Sequence, residues 1–499
     1  MRERHFQGER AASLFPLLAG DPEQGIFLLD DQSLGFGWLC QPLAGADQGH
    51  ADRLTALVNQ DWPTDTLLQV LLWASPDIDG ALAVMNGLRT GLRHPLLRRA
   101  TAERAAFLRA GVRHPIIRQT DTRVREVQVL VTVKVPLSAP LPTPSAHQAA
   151  LDLRASTEQG LATVGLQPRP LLAGELTRIM NTLLNWGETA TWRERITPEV
   201  DPTRLLREQF FDPDQALESD AQGLTLGTCR VQTLSVKRFP ERLHFGLAAR
   251  YLTDPFSGAR GIPHNLLVCL NLFFPEPEFT RAALQTQSQW ATNMASGPIA
   301  RYLPRLVERA RGFRVLFERL DAGDRPVKAH LGLVLFTPPD QATAAAANLR
   351  TYWRELGFQV VSDRFFTLPL FLNALPFGAD RGAIRDMQRY RTLAASHAVN
   401  LMPVLGDWKG TGTPVLNLIS RGGQLMSLSL FDSASNYNAC IAAQSGSGKS
   451  FLTNELISTT LSVDGRCWVI DVGRSYEKLC EALDGQFLAF TRDARISLN

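Results

Sequence analysis

Asn438–Leu461 reads NACIAAQSGSGKSFLTNELISTTL, which predicts a short apolar strand, a tight Gly/Ser loop and an amphipathic helix in direct succession. The loop carries Gly448-Lys449-Ser450, and Ala443 stands five residues before Gly448, so the stretch fits the P-loop pattern with Ala in place of its first Gly. Gly446 and Gly448 can take positive φ, which lets the loop turn its backbone N–H groups inward around an anion. The following helix points its positive N-terminal end at the same place. In this pattern Ala443, Gln444, Ser445, Gly446, Ser447, Gly448, Lys449, Ser450 and Phe451 form the nucleotide-binding set. Lys449 reaches the β- and γ-phosphates as the catalytic cation, and the Ser450 hydroxyl ligates Mg²⁺ of ATP–Mg²⁺. With six lysines against 46 arginines in the chain, a Lys at this position is a rarer coincidence than usual.

The 499 residues suggest about three domains. A net charge of +3 argues neither for nor against nucleic acid. The six cysteines, at 40, 229, 269, 440, 467 and 480, form no CxxC, which predicts reduced, buried thiols and no structural zinc. MRERHFQGER lacks a signal-peptide core, and apolar runs such as Leu67–Ala74 are too short to span a bilayer. These features predict a cytoplasmic chain, with peripheral membrane association left open.

Along the chain, Gly25–Leu39 predicts a hairpin, 51–59 a helix and Leu67–Ala74 a strand. A helix from Ala81 and a strand at Glu126–Val135 complete a first α+β domain over 1–135. Between Arg89 and Arg125 lie ten arginines, with a near-repeat of GLRHPLLRRAT and GVRHPIIRQTD. A basic face for phosphate, lipid headgroups or an acidic partner surface is one reading. A solvated helix face is the other, favoured because aromatic side chains are nearly absent. PLSAPLPTPS marks a Pro-rich linker over 136–148. A second α+β and helical region follows over 149–400, with a helix at Leu171–Asn185 and strands at Val231–Val236, Leu243–Tyr251 and Leu266–Phe274. A long helical region at Phe279–Leu320, a strand–helix–strand unit over 330–361 and a helix at Arg385–Ala398 complete it, with ferredoxin-like half-repeats as a candidate topology. The last domain, 401–499, opens with a hairpin around Gly422-Gly423.

After the loop, Cys467–Ile470 predicts an apolar strand ending at Asp471, then a turn, a helix and a strand at Gln486–Phe490. This alternation predicts a parallel sheet wound by helices on both faces. Asp471 is either a Walker-B ligand for Mg²⁺ or an accessory structural residue, with the second preferred because no acidic residue follows it. The 62 residues from Asn438 leave no space for a complete nucleoside-triphosphatase core, so the chain reads as cut in mid-domain.

IAAQSGSGKSFLTNELI followed by CWVIDVGRSYEKLCEALDGQFLAF resembles the TraC-type conjugative-transfer ATPases of type IV secretion systems, relatives of the FtsK and HerA group. The Asp471–Glu477 run is the more discriminating part. The resemblance implies an incomplete RecA-like P-loop domain behind mixed α+β domains. It further implies an ATP- and Mg-dependent motor that drives pilus assembly or DNA and protein export. Its partners would be inner-membrane and channel proteins of the secretion system and further copies in a hexamer, with the protein peripheral to the bacterial inner membrane. Two other readings stay open: a non-catalytic docking module, and a motor that translocates DNA directly.

Overall fold

The computed structural model describes residues 11–117, 119–193, 198–258, 260–297, 302, 304–444 and 446–491. The strands are β1 Leu17–Gly20, β2 Ile26–Leu29, β3 Ser33–Cys40, β4 Thr66–Ser75, β5 Glu126–Pro136, β6 Arg169–Pro170 and β7 Leu217–Asp220. They continue with β8 Gly223–Leu226, β9 Cys229–Arg238, β10 Asn265–Phe274, β11 Pro326–Thr337, β12 Gln359–Ser362, β13 Arg391–Ala394, β14 Leu416–Ile419 and β15 Leu425–Leu428. The helices are α1 Gln48–Asn59, α2 Asp79–Gly87, α3 Pro95–Arg113, α4 Pro144–Val164, α5 Ala173–Leu184, α6 Pro277–Ser296 and α7 Pro304–Asp321. The rest are α8 Ala342–Glu355, α9 Thr367–Ala374, α10 Arg381–Asp386, α11 Ala395–Val399, α12 Lys449–Ser462 and α13 Glu477–Ala482.

Among the described residues β1–β13 build one 13-stranded antiparallel sheet whose main path runs β1-β2-β3-β5-β4-β10-β11-β9-β8-β7. Two ferredoxin-like halves are visible in it. β3-α1-β4-β5-α4-β6 pairs in the order β6-β3-β5-β4, and β9-β10-β11-α8-β12 pairs in the order β12-β9-β11-β10. The halves join edge to edge where β4 meets β10, in a register from Leu267↔Trp73 to Phe274↔Thr66. Each half carries a helical insert between its two central consecutive strands, α2–α3 between β4 and β5 and α6–α7 between β10 and β11. Because β4 and β10 are antiparallel, the two inserts leave from opposite ends of the sheet.

The central strands are apolar at nearly every position because helices cover both faces. Leu68, Val70, Leu72 and Ala74 of β4 point into one core with α1, α4, α8 and α11, and Leu71 and Trp73 point into the other with α5 and α9. Trp353 of α8 anchors the first core, stacked on Tyr251 at 4.8 Å. Gln69 interrupts the second core and is satisfied by Asn271 Oδ1 at 3.0 Å and the Asn373 carbonyl at 3.3 Å.

Two expectations need correction, and two more are refined. Leu243–Tyr251 is no strand but contains a 3₁₀ helix at Phe245–Arg250. Its buried Phe245, Ala248 and Tyr251 recur every third residue, the period of that helix rather than of a strand. Arg385–Ala398 is not one helix. A left-handed Gln388 (φ 51°) follows α10, and Arg391–Ala394 becomes β13, paired with β11. The region from Phe279 is two helices packed on each other, α6 and α7. In the Pro-rich stretch Thr143 caps α4 by accepting from Ala146 N, so residues 144–148 are helical.

A separate hairpin, β14–β15, sits at the end of the sheet from which α2–α3 departs. Arg125, wholly buried, ties it there by donating to the Gly422 carbonyl at 2.7 Å and to the Ile262 carbonyl at 2.9 Å. Lys409 pairs with Glu126 at 2.5 Å beside it. The predicted parallel strands around 438–442, 467–470 and 486–490 form no ladder among the described residues. Their apolar side chains stand in solvent, with Trp468 84% and Ile470 101% exposed. Parallel strands are stable when neighbours pair their edges and helices cover both faces, and among the described residues this stretch has α12 and α13 for cover.

Candidate functional site

The Gly/Ser loop folds as its residue types require. Gly446 takes φ 79° and Gly448 φ 97°, both in the left-handed region, and nothing lies within 4 Å of where a Cβ would stand at either. Ser447 closes the turn, its N–H and hydroxyl both donating to the Gln444 carbonyl, at 3.2 and 2.7 Å. Gly448 is the N-cap of α12, and no side chain among the described residues caps that end. The first N–H groups of α12 are therefore left for an anion.

Lys449 and Ser450 are the first two residues of that helix, on the loop side. Ala443, Gln444 and Ser447 are exposed, Phe451 is 79% exposed, and Ser445 lies outside the described residues. An open glycine turn at an uncapped helix start, with a lysine and a hydroxyl at its head, fits a polyphosphate and its Mg²⁺.

Asp471 is exposed at the end of the 467–470 segment and accepts a hydrogen bond from Ser475 N. With Gly473 at φ 139° and Arg474 at φ 59°, it organises its own turn. Among the described residues no cluster of three or more His, Cys, Asp or Glu is arranged for a metal.

The predicted amphipathic character of α12 does not hold. Its fully buried residues are Thr459 and Ser462, and its leucines are half-buried. Polar contacts from the Arg-rich segment hold it instead. Arg104 of α3 pairs with Glu455 of α12 and donates to the Asn417 carbonyl at 3.4 Å. Arg89, buried just beyond α2, donates to Ser462 Oγ at 3.0 Å and to the Met85, Pro414 and Val415 carbonyls at 2.7, 3.1 and 2.6 Å. Burial lowers the Arg89 pKa, nearby Arg104 lowers it further, and Glu455 opposes both.

Neither reading of the Arg-rich segment covers these two residues, although the solvated-face reading describes Arg93, Arg98, Arg99 and Arg109, which are exposed. The signal was the local arginine excess itself, but the acceptors lie more than 300 residues away in sequence.

A larger cavity, about 890 Å³, opens between α5 and the ends of β4 and β5. Its charged groups are spent on one another or on neighbours. Arg178 makes a two-pronged pair with Asp77 at 2.7 Å on both prongs, and Glu126 is taken by Lys409. Among the described residues it offers no cation–nucleophile pair comparable to the loop. Cys40, Cys229 and Cys269 are buried as predicted, with burial pushing the Cys40 thiol up to about 12, whereas Cys440 is exposed. No described helix is long and apolar enough to cross a membrane.

Two family models match the chain, TraC protein over residues 11–379 and the TraG P-loop domain over residues 412–499. The second match places the glycine loop and α12 in a P-loop domain, a type that suggests nucleotide binding, usually with Mg²⁺. Protein TraC of Escherichia coli (strain K12) is 25% identical over 341 residues, which cover 64% of this chain and 39% of that protein. The chain therefore matches well under half the length of that curated relative. The TraC model spans both ferredoxin-like halves and every strand of the large sheet except β13, well over half of the residues, and the chain belongs to the TraC protein family of conjugative transfer.

Proposed function

We propose that this protein is the ATP-binding motor component of a conjugative type IV secretion system, coupling ATP hydrolysis to pilus assembly or to export of DNA or protein. The observation that carries the proposal is the open left-handed turn at Gly446 and Gly448 leading into uncapped α12. In this reading the backbone of 443–448 wraps the β-phosphate, Lys449 neutralises the β- and γ-phosphates, and Ser450 holds Mg²⁺. Asp471 is a second, weaker candidate for the metal because its carboxylate already serves its own turn. The exposed strand-like segments 438–442, 467–470 and 486–490 belong to a parallel RecA-like sheet in this proposal. Family membership supports secretion-channel partners at the inner membrane, a hexameric assembly and a division at about residue 401 between a docking part and the ATPase part.

The deciding measurement is Mg·ATP affinity of the intact protein and of Lys449→Ala. Loss of one charge-assisted contact to phosphate predicts weakening of about tenfold or more. Equal affinity in the two proteins would remove the nucleotide assignment. One observation favours a second reading, a non-catalytic docking module. The sheet unit buries its strands on both faces, whereas the loop-bearing segment packs loosely. ATP turnover clearly above that of Lys449→Ala excludes that reading.

A further inference from the structure

The helix that heads the glycine loop is held to the rest of the molecule by polar contacts rather than by an apolar face. Two arginines from the insert between β4 and β5 supply them. Arg104 binds Glu455 in the first half of α12, and Arg89 binds Ser462 at its last residue, so the helix is gripped at two points along its length. The same arginines grip β14 and the turn leading to it through the carbonyls of Pro414, Val415 and Asn417. All three guanidinium nitrogens of Arg89 are bonded, and the residue is only 7% exposed, so the contact is rigid. The Arg104 and Glu455 side chains are 30% and 25% exposed, so solvent screens their pair only in part. Glu455 lies six residues beyond Lys449, about 9 Å along the axis at the standard helical rise. A stiff helix transmits any shift at Glu455 to the loop.

We propose that Arg89 and Arg104 are positioning residues for the phosphate loop. They fix α12 against the N-terminal sheet, so that nucleotide occupancy at 443–450 and the seating of the α2–α3 insert are thermodynamically coupled. The inference rests on the nucleotide reading of the loop. Coupling of this kind is reciprocal: whatever moves α2–α3 changes nucleotide affinity, and nucleotide stiffens the insert.

The test is a charge swap in the intact protein, with Mg·ATP affinity and thermal melting measured side by side. Arg104→Glu and Glu455→Arg should each weaken Mg·ATP about fivefold or more, and the double variant should recover most of that loss. Should Arg104→Glu fail to fold, Glu455→Gln removes the pair from its more tolerant side and gives the same readout. Lys449→Ala separates the two ideas. If it leaves affinity unchanged, the nucleotide reading itself falls. If it abolishes binding while folded Arg104→Glu and Glu455→Gln bind like the parent, the positioning role is overturned. A swap that restores melting but not affinity also overturns it, because the pair would then be structural only.

Discussion

Gly448 shows how one residue sets the site. Its φ of 97° is unfavourable for any side chain, yet nothing stands within 4 Å of a Cβ there, so Gly448→Ala meets strain without a clash. The expected outcome is a loop cost of about 1 kcal/mol, read as roughly fivefold weaker Mg·ATP binding with nearly unchanged melting. A large drop in melting temperature instead would show that the loop contributes to folding and is not simply an open cradle. Lys449 and Ser450 were legible because their chemistry depends on spacing within eight residues. Arg89 and Arg104 were not, because their acceptors are brought to them only by the tertiary fold.

At the scale of elements, the contrast between the sheet strands and α12 is a contrast in what each buries. β4, β5, β10 and β11 bury alternate residues in two different cores, whereas α12 buries two hydroxyl residues and leans on arginines. Local opening free energy follows the apolar surface a segment buries. Amide hydrogen exchange should therefore be fast across α12 and 464–491 and slow in β4 and β10, and added Mg·ATP should slow α12 selectively. Uniform protection across both regions would contradict this picture. The expected strand at Leu243–Tyr251 contains a 3₁₀ helix instead, because its buried residues Phe245, Ala248 and Tyr251 recur every third position. The expected helix at Arg385–Ala398 gives way to β13, whose strand conformation depends on its pairing with β11.

For the molecule as a whole, stability should depend on two histidines held neutral inside it. Burial, then the Arg389 charge, lowers His330 to about 4, and burial, then Arg123, lowers His264 to about 4. Both folded-state values lie below the ordinary histidine value near 6.5. The unfolded chain therefore takes up these protons first as pH falls. The stabilisation is complete above about pH 6.5 and is lost progressively as pH falls toward 4, at up to about 1.4 kcal/mol per pH unit for each group. Denaturant unfolding at several pH values checks this, with a shallower slope expected for His330→Gln. An identical slope in that variant would mean His330 titrates alike in both states.

At this largest scale the sequence by itself determined the elements whose signals are local. These were the hairpin at Gly25–Leu39, the apolar strands that became β4, β5, β10 and β11, and the turn-forming glycines before Lys449. Periodicity and backbone freedom are written within a few residues, so they can be read without partners. Only the tertiary structure decided that the two halves fuse through β4 and β10 into one sheet, a choice between apolar edges that look alike in sequence. It alone placed the α2–α3 insert against the phosphate-loop helix, because a local arginine excess does not say which distant acceptors the whole chain brings to each charge.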